Sequence, residues 1–516
     1  MHRNRFHLVF GSALLVSTFG CGDSTGGDAS ESASSSGSGL TEATSTATTT
    51  AGTMGESDTA TTNGGTGTAS ATSSTTSSET TSSETTTSST GSTTTAGTTD
   101  SSTTSPGTTD STTTGVDTNT TDSTDGTTEG TTTEDTTTGV MEPCKPGDGM
   151  GMGMIDKSFI WVPATDQGTV AKVNTQTLVE VARYRTGPSG GTESGSRTAV
   201  SADGRFVVVN ARGTGRTTMV AANLEDCIDT NNNGMIETSQ NSGDVRAWGT
   251  DECVIWSLVH ADWSGQYTHG PRGVTWTPGD WDENLCQWVD PKVWLGYISK
   301  TAGQANLVRL DGLTGAEEEK IPVAGWIGSN YAPYGAALDP QFRPWFGALR
   351  GEIVRVNTDQ DPITVSRWTM PGSVQSYGFT VDQEGNPWMA GCSGPVSTFD
   401  PNSQQVTSVA GTSACHRGIT VDKDFQVWVA SNSPCGLVQV DGKSKTLVAK
   451  HTLKQCSTAI GPSMDLEGYL WVVDQGGWAF KIDTKNVPGM VQVPIPGNHY
   501  VYSDMTGGQV LSVIPQ

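Results

Sequence analysis

Two sets of residues in this chain have the types and spacing to do chemistry. The first is the run from Asp229 to Glu237, in which Asp229, Asn231, Asn233 and Glu237 carry side-chain oxygens at alternate positions around Gly234 and Met235. Oxygens at the first, third and fifth positions of such a loop wrap a hard cation, the glycine permits a sharp turn, and the seventh residue offers its carbonyl. The pattern predicts a structural calcium site built from Asp229, Asn231, Asn233, Met235 and Glu237. Gln240 stands where a bidentate glutamate usually completes the shell, so Asp251 or Glu252 is expected to supply that carboxylate. An ion held in this way orders a loop rather than driving a reaction.

The second set is His499, Ser196, Arg272, Tyr334, Tyr377, Arg417 and Ile460, with His269 nearby; each of the seven immediately precedes a run that reads as a short strand. If those strands line one channel, two guanidiniums, two phenols and an imidazole open at the same end of it. Convergent polar groups at a concave mouth make a ligand site. His416 lies close by in the same loops as well. His260 and His451 lie beside strands and read as structural. The chain has no GxSxG, HExxH or P-loop spacing, and no CxxC pair to suggest zinc.

The elements that would position these groups come from a repeat. Gly335 to Asp339 followed by Trp345 recurs as Gly378 to Asp382 with Trp388, Gly418 to Asp422 with Trp428, and Gly461 to Asp465 with Trp471. Each unit continues through further apolar runs such as Val427–Ala430, Leu437–Val440 and Thr446–Ala449, giving four short strands in about 40 residues, the size of one propeller blade. Two more blades begin near Arg197 and at Gly273, and carry insertions. Phe159–Val162 reads as a second strand with no first strand before it, whereas Tyr500–Asp504 has the register of a first strand with no blade after it. Pairing the two closes a ring of seven blades and leaves no open sheet edge.

Eight of the nine cysteines, all but Cys21, test the register. Cys392 and Cys415 occupy positions that Cys435 and Cys456 repeat one blade later, so Cys392–Cys415 and Cys435–Cys456 bridges are expected, each contributing roughly 3 kcal/mol in the chain-entropy model. Cys227–Cys253 would staple the insertion at 225–253, which leaves Cys144 for Cys286. If all four bridges form, no thiol of the propeller remains to act as a nucleophile. The repeat resembles the YncE/NHL-like propeller superfamily that includes virginiamycin B lyase, over residues 158 to 516. The resemblance implies an all-β, seven-bladed propeller. If carried as far as chemistry, it would imply a metal-assisted C–O lyase, or a hydrolase, working through His416 and His499. That pattern sets histidines on adjacent blades, whereas Ile460 occupies the position one blade before His499.

The rest of the chain is of another kind. Arg3 and Arg5, a twelve-residue apolar run from Leu8 to Phe19, and Gly20-Cys21 resemble a bacterial lipoprotein signal over residues 1–21, with Cys21 lipidated. The run is too short to span a bilayer, which needs roughly 20 residues. Residues 22–140 form a Thr/Ser-rich stalk with 16 acidic residues and no Lys or Arg, while all 15 Trp fall between Trp161 and Trp478. Such a stalk cannot bury enough apolar surface to order itself, and as a coil its ends would lie on the order of 60 Å apart. The domain boundary falls at about 141, and residues 141–516 hold the propeller. Of the net charge of −25, about −11 belongs to that domain, which offers nothing for nucleic acid to bind. These features lead to the expectation of a monomeric, surface-exposed outer-membrane lipoprotein. Its propeller would bind a ligand or a protein through Arg272, Tyr334, Tyr377, Arg417 and His269.

Overall fold

The computed structural model describes residues 158–513, so the signal ending at Cys21, the stalk and Cys144 lie outside the described residues. The described chain is almost wholly β and forms seven blades. Blade 1 has Phe159–Ala164, Thr169–Asn174 and Glu180–Arg185, and blade 2 runs from Gly195–Val200 through Phe206–Ala211 and Arg216–Ala221 to Val254–Val259. The inner strands of blades 3 to 7 are Val274–Thr277, Gly335–Leu338, Gly378–Val381, Ala414–Val421 and Ala459–Met464; each of these blades has four antiparallel strands, and Cys392–Gly394 adds a fifth to the sheet of blade 6. The first and second strands of the blades are packed on both faces and therefore read as near-continuous apolar runs, as in Phe206–Ala211, the second strand of blade 2, where all six residues are buried. The outermost strand Thr446–Thr452 instead alternates exposed and half-buried residues, because one of its faces meets water.

The repeated aspartate and tryptophan form a latch. In blades 4 to 7 one carboxylate oxygen accepts two backbone N–H groups of its own turn, as Asp422 does from Asp424 and Gln426, both at 2.9 Å. The other oxygen accepts the indole N–H of the tryptophan on the second strand: Trp345 to Asp339 at 3.0 Å, Trp388 to Asp382 at 2.8 Å, Trp428 to Asp422 at 2.9 Å and Trp471 to Asp465 at 2.8 Å. Burial pushes the Asp422 and Asp465 carboxyls up from their ordinary range, and the N–H donors pull the other way.

Tyr500–Asp504 lies where the register places it, beside Phe159–Ala164, although it forms no regular strand. Trp161 N–H donates to Met505 O at 2.9 Å, Thr165 N–H to Asn498 O at 2.8 Å, and Ala164 and His499 form a bridge. The chain then turns into a short helix, Gly508–Val513, whose Val510 and Val513 are buried with Leu338. Gln509 Nε2 reaches Thr380 Oγ1 of blade 5 at 3.1 Å, so this helix fills the end of the channel away from Arg417. The Cys392–Cys415, Cys435–Cys456 and Cys227–Cys253 bridges are all formed. Cys286 is also disulfide-bonded, on a two-stranded hairpin, Asp280–Asp282 and Gln287–Val289, that the sequence pattern did not suggest. The hairpin stands on its tryptophans: Trp288 packs edge-on against Trp281 and against Phe342 of blade 4.

Asp504, the closing counterpart of the latch aspartates, accepts the N–H groups of Thr506 and Gly507 but receives no indole. Burial pushes its carboxyl up to about 6. The folded state therefore binds this proton more tightly than the unfolded chain. The stabilisation is complete below about pH 4 and is lost as pH rises through 6. Compared with Asp504→Asn, the parent protein should lose about 2–3 kcal/mol between pH 4 and pH 7 in denaturant melts. Parallel pH profiles for the two would assign the dependence elsewhere.

Candidate functional site

Of the seven residues that precede the inner strands and the closing segment, Arg272, Tyr334, Tyr377, Arg417 and Ile460 meet in one cluster, whereas His499 bonds Pro163 O and Ile495 O instead. Tyr334, Tyr377 and Ile460 belong to a single buried cluster with Tyr500, Tyr502 and Leu349. Tyr502 stacks on Tyr377 with ring centroids 4.6 Å apart and on Tyr334 at 5.8 Å, while Tyr500 meets Tyr502 edge-on at 5.1 Å. The hydroxyls continue the network: Tyr500 is bonded to Tyr377, and it lies 3.3 Å from the Tyr334 hydroxyl.

Four guanidiniums pack on these rings. Arg417 lies 4.6 Å from the centre of the Tyr377 ring and donates to its hydroxyl. Arg272 is 5.2 Å from Tyr334, Arg212 is 4.4 Å from Tyr500, and Arg197 is 3.2 Å from Tyr502. Cation–π contacts gain strength when water is excluded, to about 2 kcal/mol each. Arg197 starts in blade 2 and crosses the channel, donating to Tyr502 O at 2.9 Å and, at a longer 3.5 Å, to Tyr377 O of blade 5. The cluster thus has a buried floor of Arg197, Arg272 and the four tyrosines, and a half-buried rim of Arg417, Tyr267, Tyr331 and His269.

Arg197, Arg212, Tyr500 and Tyr502 were not among the expected ligand residues. A signal for two of them was present: where blades 3 to 7 carry glycine immediately after the mouth position, the closing segment has Tyr500 and blade 2 has Arg197. These two departures from the repeat put large side chains into the cluster. Ser196 is buried at the same level.

The histidines are engaged locally. His499 has Nδ1 2.9 Å from Pro163 O and Nε2 2.7 Å from Ile495 O, and His416 Nε2 lies 2.5 Å from Thr412 O. Burial holds both below the ordinary imidazole range, against the pull of those carbonyls. His269 Nδ1 is 2.7 Å from Ser264 Oγ, and burial together with Arg272 lowers it as well. His260 is buried, stacked on Tyr297 and 2.9 Å from Thr217 Oγ1, and His451 Nε2 lies 3.1 Å from Gln439 Oε1, both structural placements.

The 225–253 insertion joins the third and fourth strands of blade 2. Its turn closes on its own first residue: Gly234 sits at φ +81° and its N–H donates to Asp229 Oδ2 at 2.8 Å. The amides of Asn231 and Asn233 donate to Glu237. Asp251 and Glu252 are spent on the loop's own scaffold. Glu252 accepts from the N–H groups of Glu237 and Thr230, which pull its carboxyl down to about 2, and Asp251 accepts from Ser239 and Thr238. The side-chain oxygens of Asp229, Asn231, Asn233 and Glu237 likewise accept hydrogen bonds within the loop, and the position of Gln240 adds no carboxylate.

No family model and no curated protein matches the chain. Among solved structures it is similar to a streptogramin B lyase, at 16% identity over 46% of this chain and 71% of that one, with a TM-score of 0.36. It is also similar to virginiamycin B lyase from Staphylococcus aureus, at 16% identity over 46% and 73% of the two chains, with a TM-score of 0.35. A functionally unknown protein from Desulfotomaculum acetoxidans aligns over 67% of this chain and 99% of its own, at 14% identity and a TM-score of 0.45. At these identities the likeness concerns the fold alone.

Proposed function

We propose that this propeller is a non-enzymatic binding module whose recognition face is the channel mouth, displayed at the cell surface on the 22–140 stalk and held there by a lipid on Cys21. The observation that carries the reading is the convergence of ring positions from separate blades on one arginine–tyrosine cluster, with Arg417, Tyr267 and Tyr331 at its half-buried edge. Tyrosine and arginine are enriched among the residues that carry most binding energy, tyrosine because it buries a large area at low entropic cost and arginine because its planar fork makes several directed hydrogen bonds. His499 has a backbone carbonyl at each of its ring nitrogens, which favours binding over proton transfer there.

The test is a thermal-shift screen of the full chain against small carboxylates, sugars, peptides and a cyclic depsipeptide, with the mass of each hit checked after incubation. The expected result is a ligand that raises the melting temperature, is recovered unchanged, and loses at least tenfold in affinity with Arg417→Ala, the scale of a truncated hot-spot residue. Turnover of the depsipeptide that vanishes when His416 and His499 are both changed to alanine would instead establish a lyase at this mouth.

A further inference from the structure

An acidic chain with a net charge of −25 has gathered four guanidiniums at one end of a narrow channel. Arg197 is the most demanding of them. It is only 1% exposed, and among the described residues no carboxylate lies within ion-pairing distance of it. Its two terminal nitrogens are satisfied by carbonyl oxygens, while its Nε has no hydrogen-bond partner. The hydroxyl of Tyr502, whose ring lies directly against this guanidinium, is buried and also lacks a partner. The charge of Arg272 works against that of Arg197. A buried cation without a counter-charge is costly, and so is each buried donor left unmade. One group would relieve all three at once: an anion that accepts from a guanidinium N–H and a phenol O–H together.

We propose that the channel mouth takes an oxyanion, the carboxylate or the sulfate or phosphate group of a small ligand, seated against Arg197 Nε and the Tyr502 hydroxyl. This rests on the mouth being the recognition face, and it adds the chemistry of what is recognised. Planar guanidinium matches planar or tetrahedral oxyanions through paired donors, and the surrounding tyrosine faces exclude the water that would weaken the contact. The half-buried Arg417 stands at the entrance, where it attracts the anion before the floor holds it.

The experiment is calorimetric titration of the full chain with sodium acetate, benzoate, sulfate and phosphate, at ionic strength held constant with sodium chloride. At least one oxyanion should bind saturably where chloride does not. Tyr502→Phe removes the hydroxyl and keeps the ring, and should weaken that binding about tenfold, the equivalent of one hydrogen bond to a charged group. Arg197→Gln should abolish it. If Arg197→Gln fails to fold, Tyr502→Phe decides the matter, and comparing it with the parent cancels any general salting effect of sulfate. The acetate and benzoate arms against the sulfate and phosphate arms identify which oxyanion is preferred. Equal heats with chloride, or equal oxyanion affinity in the parent and in Tyr502→Phe, would overturn the inference. A neutral ligand that binds and is lost with Arg417→Ala, in the absence of any oxyanion effect, would also overturn it while leaving the binding module intact.

Discussion

Replacing Gly378 by alanine should destabilise the propeller by about 1–3 kcal/mol, whereas Gly372→Ala should be neutral or slightly stabilising. A Cβ on Gly378 would lie 2.3 Å from Arg417 O and 2.8 Å from Gly418 C, both backbone atoms of the neighbouring blade. The same crowding recurs around the ring. A Cβ on Gly418 would meet Ile460 O at 2.8 Å, and one on Gly461 would meet Val501 O at 2.3 Å. The inner strands of neighbouring blades touch backbone to backbone, so no flexible side chain can swing aside to make room. Gly372 has open space on every side, and alanine there mainly reduces the freedom of the unfolded chain. Thermal and denaturant melts of the two variants check this. Because the Arg417 carbonyl is the atom displaced, Gly378→Ala should weaken binding at the mouth as well as stability. Equal melting of the two variants would show that the ring is looser than its glycines imply.

Ending the chain at Gly497 should leave no cooperatively folded propeller. The lost segment buries Tyr500, Val501, Tyr502, Met505, Val510 and Val513. At about 1.5–3 kcal/mol for each large buried side chain, the loss is on the order of 10 kcal/mol. A whole domain is stable by only about 5–15 kcal/mol. Blade 1 would also lose the partners of Trp161 and Thr165, exposing a strand edge built of apolar residues. The expected readout is a loss of the sigmoidal melt monitored by tryptophan fluorescence, together with aggregation of the truncated chain. A truncated chain with an unchanged melt would mean that the ring does not depend on closure by its C-terminal segment.

Much of this architecture was readable before any coordinates, because it is written in local patterns. The Gly–Asp–Trp repeat marks blades since each of its residues answers a constraint within one blade or between two neighbours: glycine where inner strands touch, aspartate to cap the turn, tryptophan to reach that aspartate. The cysteine pairs were readable for the same reason, as two positions repeated one blade apart. The hairpin bearing Cys286 was not, because its three-residue strands are too short to show a period.

By itself, then, the sequence determined the fold class, the number of blades, the way the ring closes and three of the bridges, all consequences of periodicity and spacing. It also marked the positions that open at the mouth. Only the tertiary structure decided what those positions do. Arg197 and Tyr377 are 180 residues apart, yet the guanidinium of one lies across the channel from its own blade on the carbonyl of the other. No spacing rule reaches that far, since the contact exists only once the ring has closed. The histidines are a second case: only the closed ring buries them and sets His499 against Pro163 O, 336 residues away, which leaves both imidazoles below their ordinary range.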